Sequence, residues 1–298
     1  MRVVLFGAGA SYGCGGVTPR NPPLGNDLFT DLQKLYANWR SIPSEAVERF
    51  KIDFEEGMEN VIEHYGFAVG PLMQEMARFF SIFQVSNSHP NLYLELLRRS
   101  ESEDEILWST LNYDCIVESA ISILGKRVAY FADPKAGIDD ISVWKLHGSC
   151  NFKVKGIEAT RGIVYSGQGI TFGGEIEPID PGEVSGVYGG NTALYPAMAL
   201  YARGKSISMS PDPILQGQRQ WAVNVGACDR VLIIGVNPNI NDDHIWMPLS
   251  NTSAEIGYVG SAKSFNDWVG RYHKAQSSNL LGTNWKDCEK DVETFLFD

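Results

Sequence analysis

Short apolar runs recur along the chain, and most of them end at a glycine or a small polar residue. Residues 2–6 and 230–236 are two such runs, and both are rich in β-branched side chains. Runs of this length predict buried strands, and near-continuous apolar strands are typical of parallel sheets. The same pattern predicts strands at 105–110, 128–131, 141–146 and 255–259.

Between these runs, apolar residues recur at spacings of three and four, which predicts helices. Helices are expected over residues 24–39, 116–121, 214–228, 264–272 and 285–297. Strands that alternate with helices indicate an α/β fold, here a Rossmann-type parallel sheet flanked by helices. We interpret residues 1–298 as one domain.

Two segments interrupt the alternation. Residues from about 40 to 102 carry apolar stripes such as Leu72, Met76 and Phe79 at helical spacing, which predicts a helical insertion within the domain. Residues 151–191 mix short β-like runs with many glycines, and we expect hairpins and a long loop there.

The charge balance narrows the classes of partner. The 298 residues carry a formal net charge of −11. An acidic surface repels phosphate backbones, so direct nucleic-acid binding is not expected. We find neither a signal peptide nor a stretch long enough to span a bilayer, and therefore expect a cytoplasmic protein that does not bind membranes. The five scattered cysteines are interpreted as reduced thiols.

Two motifs near the ends of predicted strands suggest nucleotide binding. In Gly7–Ala8–Gly9–Ala10–Ser11, the glycines permit a sharp turn and a close approach to a phosphate, although a plain tight turn explains them about as well. Thr110–Leu111–Asn112–Tyr113–Asp114 also follows a strand, where open α/β sheets bind ligands. Its Asn and Asp suit sugar hydroxyls, but Asp114 also fits a local helix cap.

Histidine supplies the candidate for proton transfer. His147 stands at the end of a predicted strand in Lys145–Leu146–His147–Gly148–Ser149, and imidazole is well matched to proton transfer near neutral pH. We interpret the other histidines, His64, His89, His244 and His273, as surface or packing residues. His244 follows two aspartates, but no second histidine lies at a ligand spacing, so no metal site is predicted.

Two later turns complete the candidate set. Gly235 and Asn237 follow the most apolar run, which should be a central strand, and Ser261 follows the run at 255–259. Turns in these positions would face an adenosine, although strand-ending turns require such residues in any case.

In this order, the motifs resemble those of the sirtuin superfamily. Residues 7–11 resemble its first phosphate loop, residues 110–114 its T-x-N-x-D segment, residues 146–149 its catalytic histidine motif, and residues 231–235 its late nucleotide-binding strand. The resemblance implies that NAD is the substrate. It implies that Asn112 binds the ribose or orders water, that His147 accepts a proton, and that Asp114 orients the ribose or Asn112.

The resemblance also assigns the binding residues. Gly7, Ala8, Gly9 and Ser11 would cradle the diphosphate, with Thr110 close to the nucleotide. Gly235, Asn237 and Ser261 would face the adenosine.

The positions at which the chain departs from the sirtuin pattern indicate which branch of the superfamily it resembles. The two cysteine pairs that bind zinc in protein-deacylating sirtuins are missing, since only Cys150 follows the histidine closely, and no zinc is expected. The segments 22–29 and 242–246 are instead similar to sirtuin-like proteins of prokaryotic anti-phage defence. That branch implies hydrolysis of NAD to nicotinamide and ADP-ribose, triggered by phage infection, which halts the host.

Two alternatives and several partners stay open. One alternative is an NAD-dependent protein deacylase, and the other is a non-catalytic module that senses NAD or ADP-ribose and regulates a partner. The resemblance further implies a homo-oligomer, or a separate partner protein such as a hexameric ATPase or an Argonaute-like protein.

Overall fold

The computed structural model describes the whole chain except residues 66–67, 103–104, 156–162, 167–168, 191, 201–205, 240–241 and 273–276. Its strands are β1 (Arg2–Phe6), β2 (Val17–Thr18), β3 (Gln84–Val85), β4 (Ile106–Thr110), β5 (Val128–Tyr130), β6 (Ile141–Lys145), β7 (Phe152–Lys155), β8 (Ile163–Ser166), β9 (Gly169–Phe172), β10 (Glu175–Pro178), β11 (Arg230–Ile234), β12 (Glu255–Val259) and β13 (Ser278–Gly282).

The helices alternate with these strands over most of the chain. They are α1 (Ala8–Gly13), α2 (Gly25–Leu35), α3 (Ala37–Arg40), α4 (Ser44–Ile52), α5 (Phe54–Glu63), α6 (Val69–Phe80), α7 (Leu92–Arg99), α8 (Ile116–Ile123), α9 (Val184–Tyr188), α10 (Pro211–Ala227), α11 (Asp243–Asn251), α12 (Ala262–Tyr272) and α13 (Glu289–Phe297). Among the described residues, none of these helices is long and apolar enough to cross a bilayer.

Seven of the strands form one parallel sheet in the order β13-β12-β11-β1-β4-β6-β5. Strand β1 lies in the middle, with Val4 beside Leu232 of β11 on one side and Trp108 of β4 on the other. The structure therefore confirms the predicted Rossmann-like α/β fold. The chain leaves β1 toward β4 and later returns to the opposite side of β1 at β11, so the direction of winding reverses between β1 and β11.

Both faces of the sheet are buried, and alternate residues of one strand reach the two cores. In β1, Val4 and Phe6 face the larger core together with α2–α8 and α13. Val3 and Leu5 face the second core, which α10, α11 and α12 complete. This two-sided burial explains why β1 and β11 read as unbroken apolar runs.

The connection between β1 and β4 contains the predicted helical insertion. Helices α4–α7 fall within residues 40–102, and α2 and α3 precede them. The aromatic side chains of these helices belong to the same core as Phe6, so the segment covers one face of the sheet. The short antiparallel pair β2 and β3 ties the two ends of this connection together.

The segment after β6 forms hairpin-like pairs, as its short β-like runs predicted. Strand β7 pairs with β10, and β8 pairs with β9, in both cases antiparallel. A small third core around Phe152 and Ile214 joins this region to α10.

Strand β13 and helix α11 are among the elements that were not predicted. Strand β13 forms the edge of the sheet beside β12, and its burial is only partial, which weakens its apolar signal. Helix α11 contains Pro248, a residue that normally argues against a helix interior.

Candidate functional site

A groove of about 860 Å³ opens at the carboxyl ends of β1 and β11, where the winding of the sheet reverses. Open α/β sheets bind ligands at such a point, and the volume is within the range of small-molecule and cofactor sites. Its walls include the loops after β1, β4, β6, β11 and β12, together with residues near the starts of α2 and α5. Loops that are far apart in the sequence therefore meet in one cavity.

Gly7 and Gly9 of the first loop pack against Gly235 of the turn after β11. A Cβ at Gly7 would lie 2.5 Å from the carbonyl oxygen of Gly235, and one at Gly235 would lie 2.1 Å from the amide nitrogen of Ala10. Gly235 also has a φ of +67°, which favours glycine. The glycines are therefore required because the two loops touch, a reason that differs from the predicted approach of a phosphate.

Backbone hydrogen bonds hold these loops in place. The Gly9 N–H donates to the Gly235 carbonyl at 3.0 Å, and the Gly7 N–H donates to Ile234 at 2.9 Å. The Ala10 N–H donates to Gly7 at 2.9 Å. Because these three donors are used within the protein, the first loop shapes the groove more than it offers amides to a ligand.

Asn112 is held at the base of the groove through its amide nitrogen. Its Nδ2 donates to the Gly7 carbonyl and to Ser11 Oγ, each at 2.9 Å. Ser11 Oγ in turn lies 3.1 Å from the hydroxyl of Tyr93, a buried side chain of α7. Both hydrogens of the Asn112 amide are thus engaged, so this side chain would meet a ligand through its oxygen, as an acceptor.

Asp114 and Lys145 form a buried polar layer next to Asn112. Lys145 Nζ donates to the Asp114 carbonyl oxygen at 2.5 Å and pairs with Glu118 Oε1 at 3.0 Å. Burial alone would lower the pKa of Lys145, but Glu118 and its other acidic neighbours raise it above its ordinary value, so the ammonium stays charged. The hydrogen bond from Lys145 to the Asp114 carbonyl attaches the loop that carries Asn112 to the neighbouring strand β6.

The carboxylate of Asp114 also has a local role. Its Oδ1 accepts a hydrogen bond from the Ile116 N–H at 3.1 Å, at the start of α8, as the helix-cap alternative predicted. Burial raises the pKa of Asp114, while Lys145 and the Ile116 N–H act in the opposite direction. Asp114 lines the groove, but a structural role explains much of its position.

His147 lines the same groove as Asn112 and contacts a second histidine. Its Nε2 lies 2.9 Å from Nε2 of His244, so one imidazole donates to the other. From the sequence we interpret His244 as a surface or packing residue; the structure shows it half-buried and in contact with His147. The sequence argument against a metal site assumed that no second histidine was near, whereas the fold supplies His147 from a different strand end.

Asp242 completes this group. One carboxylate oxygen of Asp242 and one ring nitrogen of each histidine lie within 4.8 Å of one another, which makes the three residues a candidate metal-binding set. His147 and Asp242 are buried and His244 is half-buried. Gly148, with a φ of +75°, follows His147 and lets the backbone contact Ala197.

The remaining predicted residues lie at the groove with less specific roles. Asn237 and Ser261 are exposed on its wall. Ser261 Oγ accepts from the Ser264 N–H at 3.3 Å, so it caps helix α12. Ala8 lines the groove beside Gly7 and Gly9.

Thr110 differs from the other predicted residues because it lies behind the groove. It is buried, and its Oγ1 accepts the Asn112 N–H at 3.0 Å. Thr110 therefore shapes the turn that carries Asn112 and does not line the cavity.

Several residues of the site were missed. Tyr93 lies on α7, far in sequence from any motif, and Glu118 lies on α8 shortly after Asp114; only the fold reveals their contacts with Ser11 and Lys145. The sequence does indicate Lys145, because a lysine in an otherwise apolar strand needs a charged or polar partner when it is buried. Asp53, Glu55 and Glu56 at the start of α5 also line the groove and make this part of its wall acidic.

The histidines and cysteines outside the groove agree with their interpretation where the structure describes them. His64 and His89 are exposed, and His273 lies outside the described residues. All five cysteines are free and buried, and Cys115 Sγ lies 3.6 Å from Cys150 Sγ.

Comparison with protein-family models gives no match, and comparison with curated proteins gives no similar sequence. The assignment of function therefore depends on the geometry of the groove and on the motifs that line it.

Proposed function

We propose that this protein hydrolyses NAD to nicotinamide and ADP-ribose. The observation that carries the proposal is the presence of Asn112 and His147 on the wall of one groove at the switch point of the sheet. An amide and an imidazole supplied by separate strand ends are what the sirtuin-like motifs imply for a site that acts on the nicotinamide ribose.

In the proposed reaction, the protein contributes mainly by positioning the substrate and by stabilising charge. Nicotinamide in NAD is a cationic leaving group, and cleavage of its bond to ribose releases a neutral base. No general acid is needed, so the site must hold the ribose, stabilise an oxocarbenium-like state and place a water molecule. The acidic wall formed by Asp53, Glu55 and Glu56 would favour the positive charge on both the substrate ring and the transition state.

Asn112 and His147 would have separate roles in this reaction. The Asn112 oxygen would accept from a ribose hydroxyl or from the attacking water, since both amide hydrogens are already donated to Gly7 and Ser11. His147 would accept the proton that water or a ribose hydroxyl loses. His244 and Asp242 lie beside this proton, and the carboxylate would stabilise its charge.

We also propose a role in anti-phage defence. The two segments similar to defence proteins, 22–29 and 242–246, both contribute to the groove through Pro22, Pro23, Leu24 and Asp242. Their position at the candidate site supports the hydrolase branch over the deacylase branch. Phage-infected cells that express the protein should lose NAD, and cells with His147→Ala should not.

The direct test is incubation of the purified protein with NAD and chromatography of the products. We expect nicotinamide and ADP-ribose from the wild type, and a rate about 10²–10⁴-fold lower from His147→Ala. His89→Ala, an exposed histidine outside the groove, is the matched control. The proposal fails if ADP-ribose binds the protein but no assembled or infected-cell form releases nicotinamide.

A parallel incubation with NAD and an acyl-lysine peptide separates the two enzyme classes. A hydrolase gives ADP-ribose whether or not the peptide is present. Formation of O-acyl-ADP-ribose would instead identify a deacylase.

A further inference from the structure

The group formed by His147, His244 and Asp242 has the donor set of a transition-metal site. Two imidazole nitrogens and one carboxylate oxygen lie within 4.8 Å of one another, and the two Nε2 atoms are 2.9 Å apart. Zn²⁺ takes such ligands at about 2.0–2.2 Å in a tetrahedron, which separates two ligand nitrogens by about 3.3 Å. The two rings would need to separate by only a few tenths of an ångström.

Regular structure holds all three ligands. His147 lies two residues after the end of β6, and its carbonyl accepts the Ala199 N–H at 2.8 Å. Asp242 and His244 lie at the start of α11, where the Asp242 carbonyl accepts the N–H groups of Ile245 and Trp246. A preformed arrangement of this kind lowers the cost of ordering ligands around an ion.

The chemistry of the donors selects the ion. Mg²⁺ and Ca²⁺ prefer oxygen ligands, whereas imidazole suits Zn²⁺ and neighbouring transition metals. Three protein ligands leave a fourth tetrahedral position for water or a ligand. Because His147 and Asp242 line the groove, that position would be reached from the groove.

We propose that His147, His244 and Asp242 bind one divalent transition-metal ion, with Zn²⁺ as the best fit, and that the bound ion inhibits the site. The ion would displace the proton shared between the two Nε2 atoms, and that proton would be released to solvent. The inhibitory part rests on the proposed NAD hydrolysis. A metal bound to His147 blocks its role as proton acceptor, and a dication beside the ribose opposes a positively charged transition state.

Metal binding is tested without reference to activity. The protein is first treated with a chelator, which is then removed. It is titrated with Co²⁺, and binding is followed by the visible absorption of the tetrahedral Co²⁺ ion. Zn²⁺ is then added to displace the Co²⁺. We expect saturation at one equivalent and loss of the spectrum on addition of Zn²⁺. His244→Gln and Asp242→Asn should weaken binding at least about tenfold, and His89→Ala should leave it unchanged.

The variants are chosen to keep the fold. The Asp242 side chain makes no capping hydrogen bond to α11, so Asp242→Asn should leave this helix intact, which circular dichroism checks. Failure of Co²⁺ to give a tetrahedral spectrum, or an equal spectrum in wild type and folded His244→Gln, would overturn the site.

The inhibitory part has its own readout. Zn²⁺ should stop NAD hydrolysis by the wild type at the concentration that saturates the Co²⁺-binding site, and a chelator should restore the rate. His244→Gln, compared with its own metal-free rate, should need at least about tenfold more Zn²⁺. A protein that binds Co²⁺ but releases no nicotinamide in any assembled or infected-cell form contradicts the proposed function alone, whereas Zn²⁺-insensitive hydrolysis contradicts the inhibition alone.

Discussion

Asn112 is the residue whose surroundings constrain its role most closely. Its amide nitrogen donates to Gly7 and Ser11, and its backbone N–H donates to Thr110, so the side chain can turn only if these bonds break. A residue fixed in this way presents its oxygen to the groove before any ligand arrives. Such preorganisation is the main contribution that a site of this kind makes to the rate.

We therefore expect Asn112→Asp to be more damaging than its small change in shape suggests. The new carboxylate would place an oxygen against the Gly7 carbonyl, in a buried position where a donor is required. Hydrolysis should be lost, and the free energy of unfolding should fall by about 1–3 kcal/mol. Product chromatography and urea unfolding measure the two effects.

Asn112→Ala is the comparison for this substitution. It should also lose activity, but it should destabilise the protein less than Asn112→Asp because it buries no charge. Normal hydrolysis by Asn112→Asp would contradict the role assigned to the amide.

Asp114 gives a prediction for the dependence of stability on pH. Burial raises its pKa above the ordinary value of 3.8, in spite of Lys145 nearby. A carboxyl whose pKa is higher in the folded state binds more protons there, so its contribution to stability falls as pH rises through that range. Relative to Asp114→Asn, the wild type should therefore lose stability as the pH rises above the ordinary pKa of an aspartate, 3.8, toward the raised pKa of Asp114.

Urea unfolding of both proteins at several pH values measures this difference. The variant keeps the shape of the side chain and can still accept from the Ile116 N–H. If the wild type instead became more stable than Asp114→Asn as the pH rises, the effect of Lys145 on the pKa of Asp114 would exceed the effect of burial.

At the scale of loops and strands, the contact between the first loop and the loop after β11 is the most demanding feature. In Gly235→Ala, the new Cβ would lie 2.1 Å from the Ala10 nitrogen, and φ there is +67°. Gly125→Ala is a matched control, because Gly125 has a φ of +72° but no atom within 4 Å of the new Cβ. We expect Gly235→Ala to cost about 1–3 kcal/mol more than Gly125→Ala.

Thermal or urea unfolding of the two variants gives the comparison, and binding of ADP-ribose shows whether the groove changes as well. Equal destabilisation of the two would mean that the loops can separate at little cost. In that case the glycines would not be explained by the contact between the loops.

The sequence predicted the elements of the sheet well and the composition of the site only in part. Buried parallel strands such as β1 have a nearly continuous apolar signal, and the predicted bounds of β1 and β12 agree with the structure. Motif residues at strand ends meet in the groove because parallel strands share one edge. His244 and Tyr93 could not be found in this way, since their neighbours belong to distant parts of the chain.

Thr110 and Ser11 show a second limit of the sequence. A motif identifies a position near the site, but it does not say whether the side chain meets the ligand or supports its neighbour. Thr110 Oγ1 and Ser11 Oγ both accept hydrogen bonds from Asn112. That distinction depends on rotamers and packing, which spacing along the chain does not encode.

At the scale of the whole molecule, the helices between β1 and β4 form part of the sheet's own core. Phe50 of α4 stacks on Phe29 with ring centroids 4.1 Å apart, and both belong to the core that contains Phe6 of β1. The same helical layer supplies one wall of the groove through residues 22–25 and 53–56. Folding of this layer and formation of the groove are therefore expected to be one event.

Phe50→Ala tests this coupling in the full-length chain. Removal of a buried aromatic ring leaves a cavity and should lower the free energy of unfolding by about 3–5 kcal/mol. If the layer and the sheet form one cooperative unit, far-UV circular dichroism and tryptophan fluorescence should report a single transition that shifts as a whole. Saturating ADP-ribose should raise the midpoint of that transition, because it binds only when both walls of the groove are formed. Two separate transitions, with only the earlier one shifted by Phe50→Ala, would instead show that the helices unfold independently of the sheet and that the groove is assembled from two units.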